Sequence, residues 1–168
     1  MSILNVGTVQ ASTISSSTGT TAFTIDSGGR VVSPNRPSFL AYNVTLNQSV
    51  ANAAVIAMTG TYDNTGNHYN TTNSRFVAPV AGEYFFWASL LMGNAAIYSG
   101  DGRFYKNGVN TGMAFYATSD STVVIRKSVG MAIINLAVND FVDLRLVQAA
   151  QFWGDASSAH TQWGGFLL

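Results

Sequence analysis

The sequence predicts an all-β sandwich preceded by an extended N-terminal β arm. Three observations carry that prediction. From Phe39 onward, short alternating or aromatic-rich runs recur, each closed by Asn, Gly, Asp or Ser; this is the spacing of a sandwich or barrel. The run Glu83-Tyr-Phe-Phe-Trp-Ala88 places aromatic rings on both faces of one strand. Residues 1–35 are small and polar with scattered apolar residues, too few for a core of their own.

The arm comes first. Ile3, Val6 and Val9 open it, and Phe23, Ile25 and Val31 follow a Ser/Thr run. Thr24 to Val32 reads as a short hairpin, with Ser27-Gly-Gly29 supplying the turn. Because apolar residues recur through the arm, it is expected to order against a partner chain or the main domain rather than hang free. Pro34 and Pro37 punctuate the passage into a main domain over 36–168.

Within that domain the strands are expected at Phe39–Tyr42, Ala53–Met58, Arg75–Ala78, Glu83–Met92, Arg103–Lys106 and Met113–Thr118. They continue at Thr122–Leu136, Phe141–Ala149 and Trp163–Leu168. Thr122–Leu136 has the length of two strands or of one bent at Gly130. Turn signals fall at Asn64-Thr-Gly-Asn67, Asn107-Gly108, Ser119-Asp-Ser121 and Asn139-Asp140. The stretch Ser49–Met58 is compatible with a helix, but it lies between β segments.

Side-chain alternation assigns faces. Val142, Leu144 and Leu146 share one side of their strand; Phe141, Asp143, Arg145 and Val147 share the other, which can form ion pairs. Tyr84 and Phe86 point one way, Phe85 and Trp87 the other. A strand in a two-sheet sandwich has one inward face. Phe85 and Trp87 therefore require a second cover, either a neighbouring subunit or an overlying loop, and the subunit is the expected one.

Composition narrows the function. Charged residues make up 10% of the chain and the net charge is zero, well below the roughly 25% charged residues of ordinary domains. Ser, Thr and Asn supply 47 residues and with them the solubility. A neutral surface of this kind suits a subunit of a larger assembly. No basic cluster is present to neutralise a run of phosphates, so nucleic acid is not the expected partner. The chain has no cysteine, which excludes disulfides and thiolate zinc sites. No apolar run is long enough to span a bilayer, and the first residues lack the pattern of a secretory signal.

The spacing Asn64-x4-Tyr69-x6-Phe76-x5-Gly82-x-Tyr84-x-Phe86 resembles the signature of the globular-head domain of complement subcomponent q, a family that shares its fold with the tumour necrosis factor ligands. Met58 and Ala88 depart from it, each a smaller or softer filler of a core position. Arg36-Pro-Ser-Phe-Leu-Ala-Tyr42, Phe104-Tyr-Lys-Asn-Gly108, Asp140-Phe-Val-Asp-Leu144 and Trp163-Gly-Gly-Phe-Leu-Leu168 are similar to other strands of the family. The resemblance covers about 36–168 and implies a ten-stranded jelly roll, a homotrimer and no catalytic site. Phe85 and Trp87, with Leu167 and Phe39, are the expected trimer interface. The arm's phrase Phe23-Thr-Ile-Asp-Ser-Gly-Gly-Arg-Val31 is similar in style to the starts of tailed-bacteriophage virion proteins, and the collagen-like stalk of many secreted members is missing.

Candidate chemistry is sparse. His68 and His160 lie in polar loops without partners of metal-ligand spacing. Asp63, Asp101, Asp120 and Asp155 occupy loops without EF-hand spacing and read as turn formers. No hydrolase elbow, P-loop or dinucleotide fingerprint occurs, and Glu83 is the sole glutamate. Tyr98, Tyr105, Tyr116, Phe152 and Trp153 lie near turns, where rings suit either recognition or packing. The expectation is a non-enzymatic phage virion structural protein with no cofactor and no bound metal. It is expected as a homotrimeric capsid decoration (cement) protein on the outer surface of the particle. The short chain, beginning at Met1 without a shaft, suits that place. Its docking arm, with Ile3, Val6, Val9, Phe23 and Ile25, would bind the major capsid protein. The alternative is the receptor-binding tip of a tail or head fibre, recognising host surface glycans; a third is a secreted recognition head.

Overall fold

A computed structural model of the chain describes residues 11–92, 99–118 and 126–168. The chain divides into two compact units, Met1–Arg36 and Pro37–Leu168. In the first, β1 (Thr13–Ser15), β2 (Thr21–Ile25) and β3 (Val31–Val32) form a three-stranded antiparallel sheet in the order β1-β2-β3. The β2–β3 hairpin falls where the sequence places it. Asp26 builds its turn: Oδ1 accepts from the backbone N–H groups of Gly28 and Arg30, both at 2.9 Å, and Gly29 adopts φ 78°. These bonds and the Arg30 guanidinium hold the Asp26 carboxyl below the usual range.

The second unit is all-β. Its described residues form twelve strand segments: β4 (Ser38–Tyr42), β5 (Gln48–Val50), β6 (Gly60–Thr65), β7 (Tyr69–Asn70), β8 (Arg75–Val77), β9 (Gly82–Met92), β10 (Ser99–Lys106), β11 (Val109–Thr118), β12 (Arg126–Leu136), β13 (Phe141–Leu146), β14 (Ala150–Phe152) and β15 (Gln162–Leu167). The resemblance implied ten; the larger number includes the two- and three-residue pieces β5, β7, β8 and β14. One sheet has the order β5-β14-β9-β15-β4-β6, with β12 also paired to β9; the other has the order β11-β10-β13-β8-β7.

The two sheets close on one aromatic core. Phe76 and Phe104 of the second sheet meet Phe86 of the first at ring distances of 5.7 and 6.4 Å. Trp163 is fully buried, and the residues paired with it on both neighbouring strands are Ala41 and Ala88. Small neighbours leave room for the indole, which accounts for Ala88 at a position where the family signature carries a ring. Met58 is also fully buried. The signature residues hold this core together. Asn64 closes its own loop, its amide nitrogen donating to Tyr69 O and its Oδ1 accepting from Tyr69 N, both at 2.9 Å. The Tyr69 hydroxyl donates to Met58 O at 2.8 Å, and burial pushes its pKa up to about 12. The Tyr84 hydroxyl donates to Val80 O at 2.8 Å.

Three expectations need correction. Ala53–Met58 is neither strand nor helix. Ala53 is left-handed at φ 61°, and the segment leans on β13 through a single bridge, Val55 to Arg145, flanked by Ala53 N–H to Leu146 O and Ile56 N–H to Leu144 O. β12 is one strand, paired without a register shift to β9 from Arg126–Met92 to Leu136–Gly82. Gly130 does not bend it; a Cβ there would stand 2.4 Å from the Phe115 Cβ, so the glycine admits that ring to the core. Phe39, expected at an interface, is 3% exposed and packed against Tyr69, Phe76 and Trp163 at 4.9, 5.1 and 4.6 Å. The turn at 119–121, Tyr98, Asp120, residues 122–125 and the arm residues Ile3, Val6 and Val9 lie outside the described residues.

Candidate interaction face

The outward side of the first sheet is the molecule's distinctive surface. β9 lies at its centre, between β12 and β15. Its inward residues Tyr84, Phe86, Ala88, Leu90 and Met92 are buried, so Phe85, Trp87 and Leu91 face out, and each is half-buried. On β12 the alternation is strict. Ser128, Ala132, Ile134 and Leu136 are buried, whereas Val129, Met131 and Ile133 are 60%, 67% and 52% exposed. Register sets Met131 opposite Trp87 and Ile133 opposite Phe85. On the other flank Phe166 of β15 lies opposite Phe85, with ring centroids 5.5 Å apart.

Beyond β15 the face continues onto β4, where Leu40 and Tyr42 are half-buried. Tyr42 stacks on Tyr62 of β6 at 4.6 Å, and Tyr62 is largely exposed. Gly164 lies between Leu40 and Trp87 in register. A Cβ there would stand 3.1 Å from the Trp87 Nε1, so the indole rests on the glycine backbone, and this explains its partial burial. Charge is confined to the margins: Glu83 and Lys127 stand at opposite ends of the β9–β12 pair, and Asp63 at the β6 edge accepts from Ser38. An apolar centre with a polar rim is the anatomy of a protein interface.

The remaining candidates divide differently. Leu167 turns away from this face: it pairs with Tyr84, packs half-buried against the core and closes over Gly82. Phe152 is buried, Tyr116 is exposed, and Trp153 lies half-buried 6.3 Å from His160. Asp101 is paired with Arg103 at 2.5 Å, and Asp155 accepts from Ser157 N and Oγ at 2.8 Å, which lowers its pKa. Among the described residues no cluster of three or more His, Asp or Glu could hold a metal.

The opposite sheet has a different outer face. Asp143 is fully buried there between two guanidinium groups, Arg145 Nε at 2.7 Å and Arg75 Nε at 3.0 Å. Arg75 lies over the Phe141 ring and Arg145 over the Tyr105 ring, at 4.3 and 4.9 Å. This is the ion-pairing face that alternation assigned to Phe141, Asp143 and Arg145.

Val129, Met131 and Ile133 were not among the interface residues expected from the sequence. Taken alone, β12 suggests that its large residues face the core. In fact Ser128, Gly130 and Ala132 face inward, and at Gly130 the absent side chain makes room for the Phe115 ring. The available signal was the pairing of two strands that both carry large apolar residues where one face must be outward.

Comparison with known proteins agrees with this geometry. The C1q domain family matches residues 39–168, and the chain belongs to that family. The globular domain of zebrafish complement 1qA protein superposes with a TM-score of 0.63 at 13% identity, over 79% of this chain and 97% of that one. Murine APRIL gives 0.62 at 12% identity, covering 79% and 99%. The Eiger TNF of S. frugiperda gives 0.62 at 11%, covering 80% and 93%. No curated protein matches the chain. C1q/TNF-like domains are typically non-enzymatic recognition or cytokine modules, and C1q/TNF homologues of this chain are trimeric.

Proposed function

We propose that the chain is a non-enzymatic virion structural protein, a homotrimer closed through the outward face of its first sheet. The observation that carries the trimer is the row Val129, Met131 and Ile133 beside Phe85, Trp87 and Phe166, a contiguous apolar surface of the kind that marks an interaction site. The trimeric habit of the family supports the stoichiometry. Its place is that of a capsid decoration protein on the outer surface of a tailed phage, with residues 1–35 as the attachment arm. The arm's likeness to virion protein starts supports that place, and so does the low charge of the chain. Deleting residues 2–33 is expected to leave a folded trimer that no longer binds capsids; undiminished binding overturns the attachment role. Antibody labelling of particles is expected to mark the capsid shell, and label confined to fibre tips would favour a receptor-binding tip.

A further inference from the structure

The three-stranded sheet of the first unit is amphipathic. Register places Ile14 opposite Phe23 and Ile25 opposite Val31. Phe23 and Ile25 are two residues apart on β2, so all four side chains share one face. Thr13, Thr24 and Val32 line the other. The apolar face is open: Ile14, Ile25 and Val31 are 42%, 40% and 66% exposed. With β1 and β3 only three and two residues long, the sheet buries little apolar surface by itself, and cover over this face would stabilise it.

We infer that two further copies of the same sheet cover this face, so that three arms form a three-sided β stem with Phe23 and Ile25 turned to a common axis. The inference rests on the trimer proposed above. Connectivity argues for this occupant. Five residues, 33–37, separate β3 from β4, and such a segment spans at most ~17 Å. The segment is also drawn in: Asn35 Nδ2 donates to Thr21 O at 2.8 Å and Arg36 N–H to Ser33 O at 3.2 Å. Three tethers of this length, one per chain of the proposed trimer, keep the three sheets within short reach of one another. The local concentration of sheets then favours one another over any diffusing partner. Charge does not select a different partner, because Asp26 and Arg30, the charged pair of this sheet, are bonded to each other at 2.7 Å in the turn.

The cysteine-free chain makes the test clean. Phe23→Cys and Ile25→Cys each place a single thiol per chain toward the axis; Thr24→Cys places one on the opposite face of the same strand. Each full-length variant is sized by sedimentation, then oxidised in dilute solution and run on a denaturing gel. The expected result is a trimer in which Phe23→Cys or Ile25→Cys yields covalent dimers, with one chain of each trimer left over, while Thr24→Cys stays unlinked. Trimers in which neither inward variant links, or in which Thr24→Cys links equally, overturn the stem and leave the trimer standing. A single-chain species overturns both.

Discussion

Met131→Asp separates folding from assembly. In the single chain Met131 is 67% exposed at the middle of β12, so a polar replacement there changes the stability of one subunit by only about 0.5 kcal/mol. In the proposed trimer the same position would be sealed among neighbours, and each copy would bury an unpaired carboxylate. The penalty is bounded by the cost of protonating it instead, about 4 kcal/mol at pH 7 for a group with a pKa near 3.9. Three copies make the bound about 12 kcal/mol, and a quarter of that already weakens association about a hundredfold. Trp87→Asp tests the same face less cleanly, because the indole also packs on Gly164 within the subunit. The assay is sedimentation velocity over a dilution series, with circular dichroism to follow the fold. The expected outcome is a folded single chain at neutral pH that regains the trimer as pH falls toward 4. A Met131→Asp protein that stays trimeric on dilution at pH 7 refutes the placement of β12 in the interface.

Three further outcomes follow from the interior and the second sheet. Gly130→Ala drives a methyl group to within 2.4 Å of the Phe115 side chain; such overpacking costs about 1–3 kcal/mol and shows as a lower Tm. Asp143→Asn leaves Arg75 and Arg145 facing a neutral amide, and the loss of charge-assisted bonds is expected to cost about 2–3 kcal/mol in urea unfolding. Asp140 is bonded to Lys106, then to Asn107 and the Ala137 N–H, and these lower its pKa from 3.8 to about 2. A depressed carboxylate stabilises the fold fully above its unfolded pKa and loses that contribution as pH falls through the folded one. The Asp140→Asn variant should therefore differ from the parent chain in Tm at pH 6 and converge on it near pH 2.

Where the sequence was legible, local pattern and tertiary role coincided. Asn64, Tyr69, Phe76, Tyr84 and Phe86 were set apart by spacing, and all five bear on the core or on the loop that seals it. The Asn107-Gly108 turn adopts the two left-handed positions its residue types favour, at φ 51° and 80°. Phe85 and Trp87 face outward as alternation required. Failures came where a neighbour decided the matter. β6, Gly60-Thr-Tyr-Asp-Asn-Thr65, is an edge strand paired to β4 alone, so it needs no apolar alternation and offers none to read. Ala53–Met58 has a strand composition, but β13 engages it at a single bridge. Phe39 looks like any other ring in an opening strand; its burial depends on Tyr69, Phe76 and Trp163, which come from distant parts of the chain.

We propose that the sheet bearing β9 and β12 is covered by two more copies of itself. The mass of the unmodified chain in dilute neutral solution, measured by light scattering or sedimentation equilibrium, tests it most directly. The expected result is a species of three times 17.8 kDa that persists on dilution. A stable, monodisperse species of 17.8 kDa would contradict it.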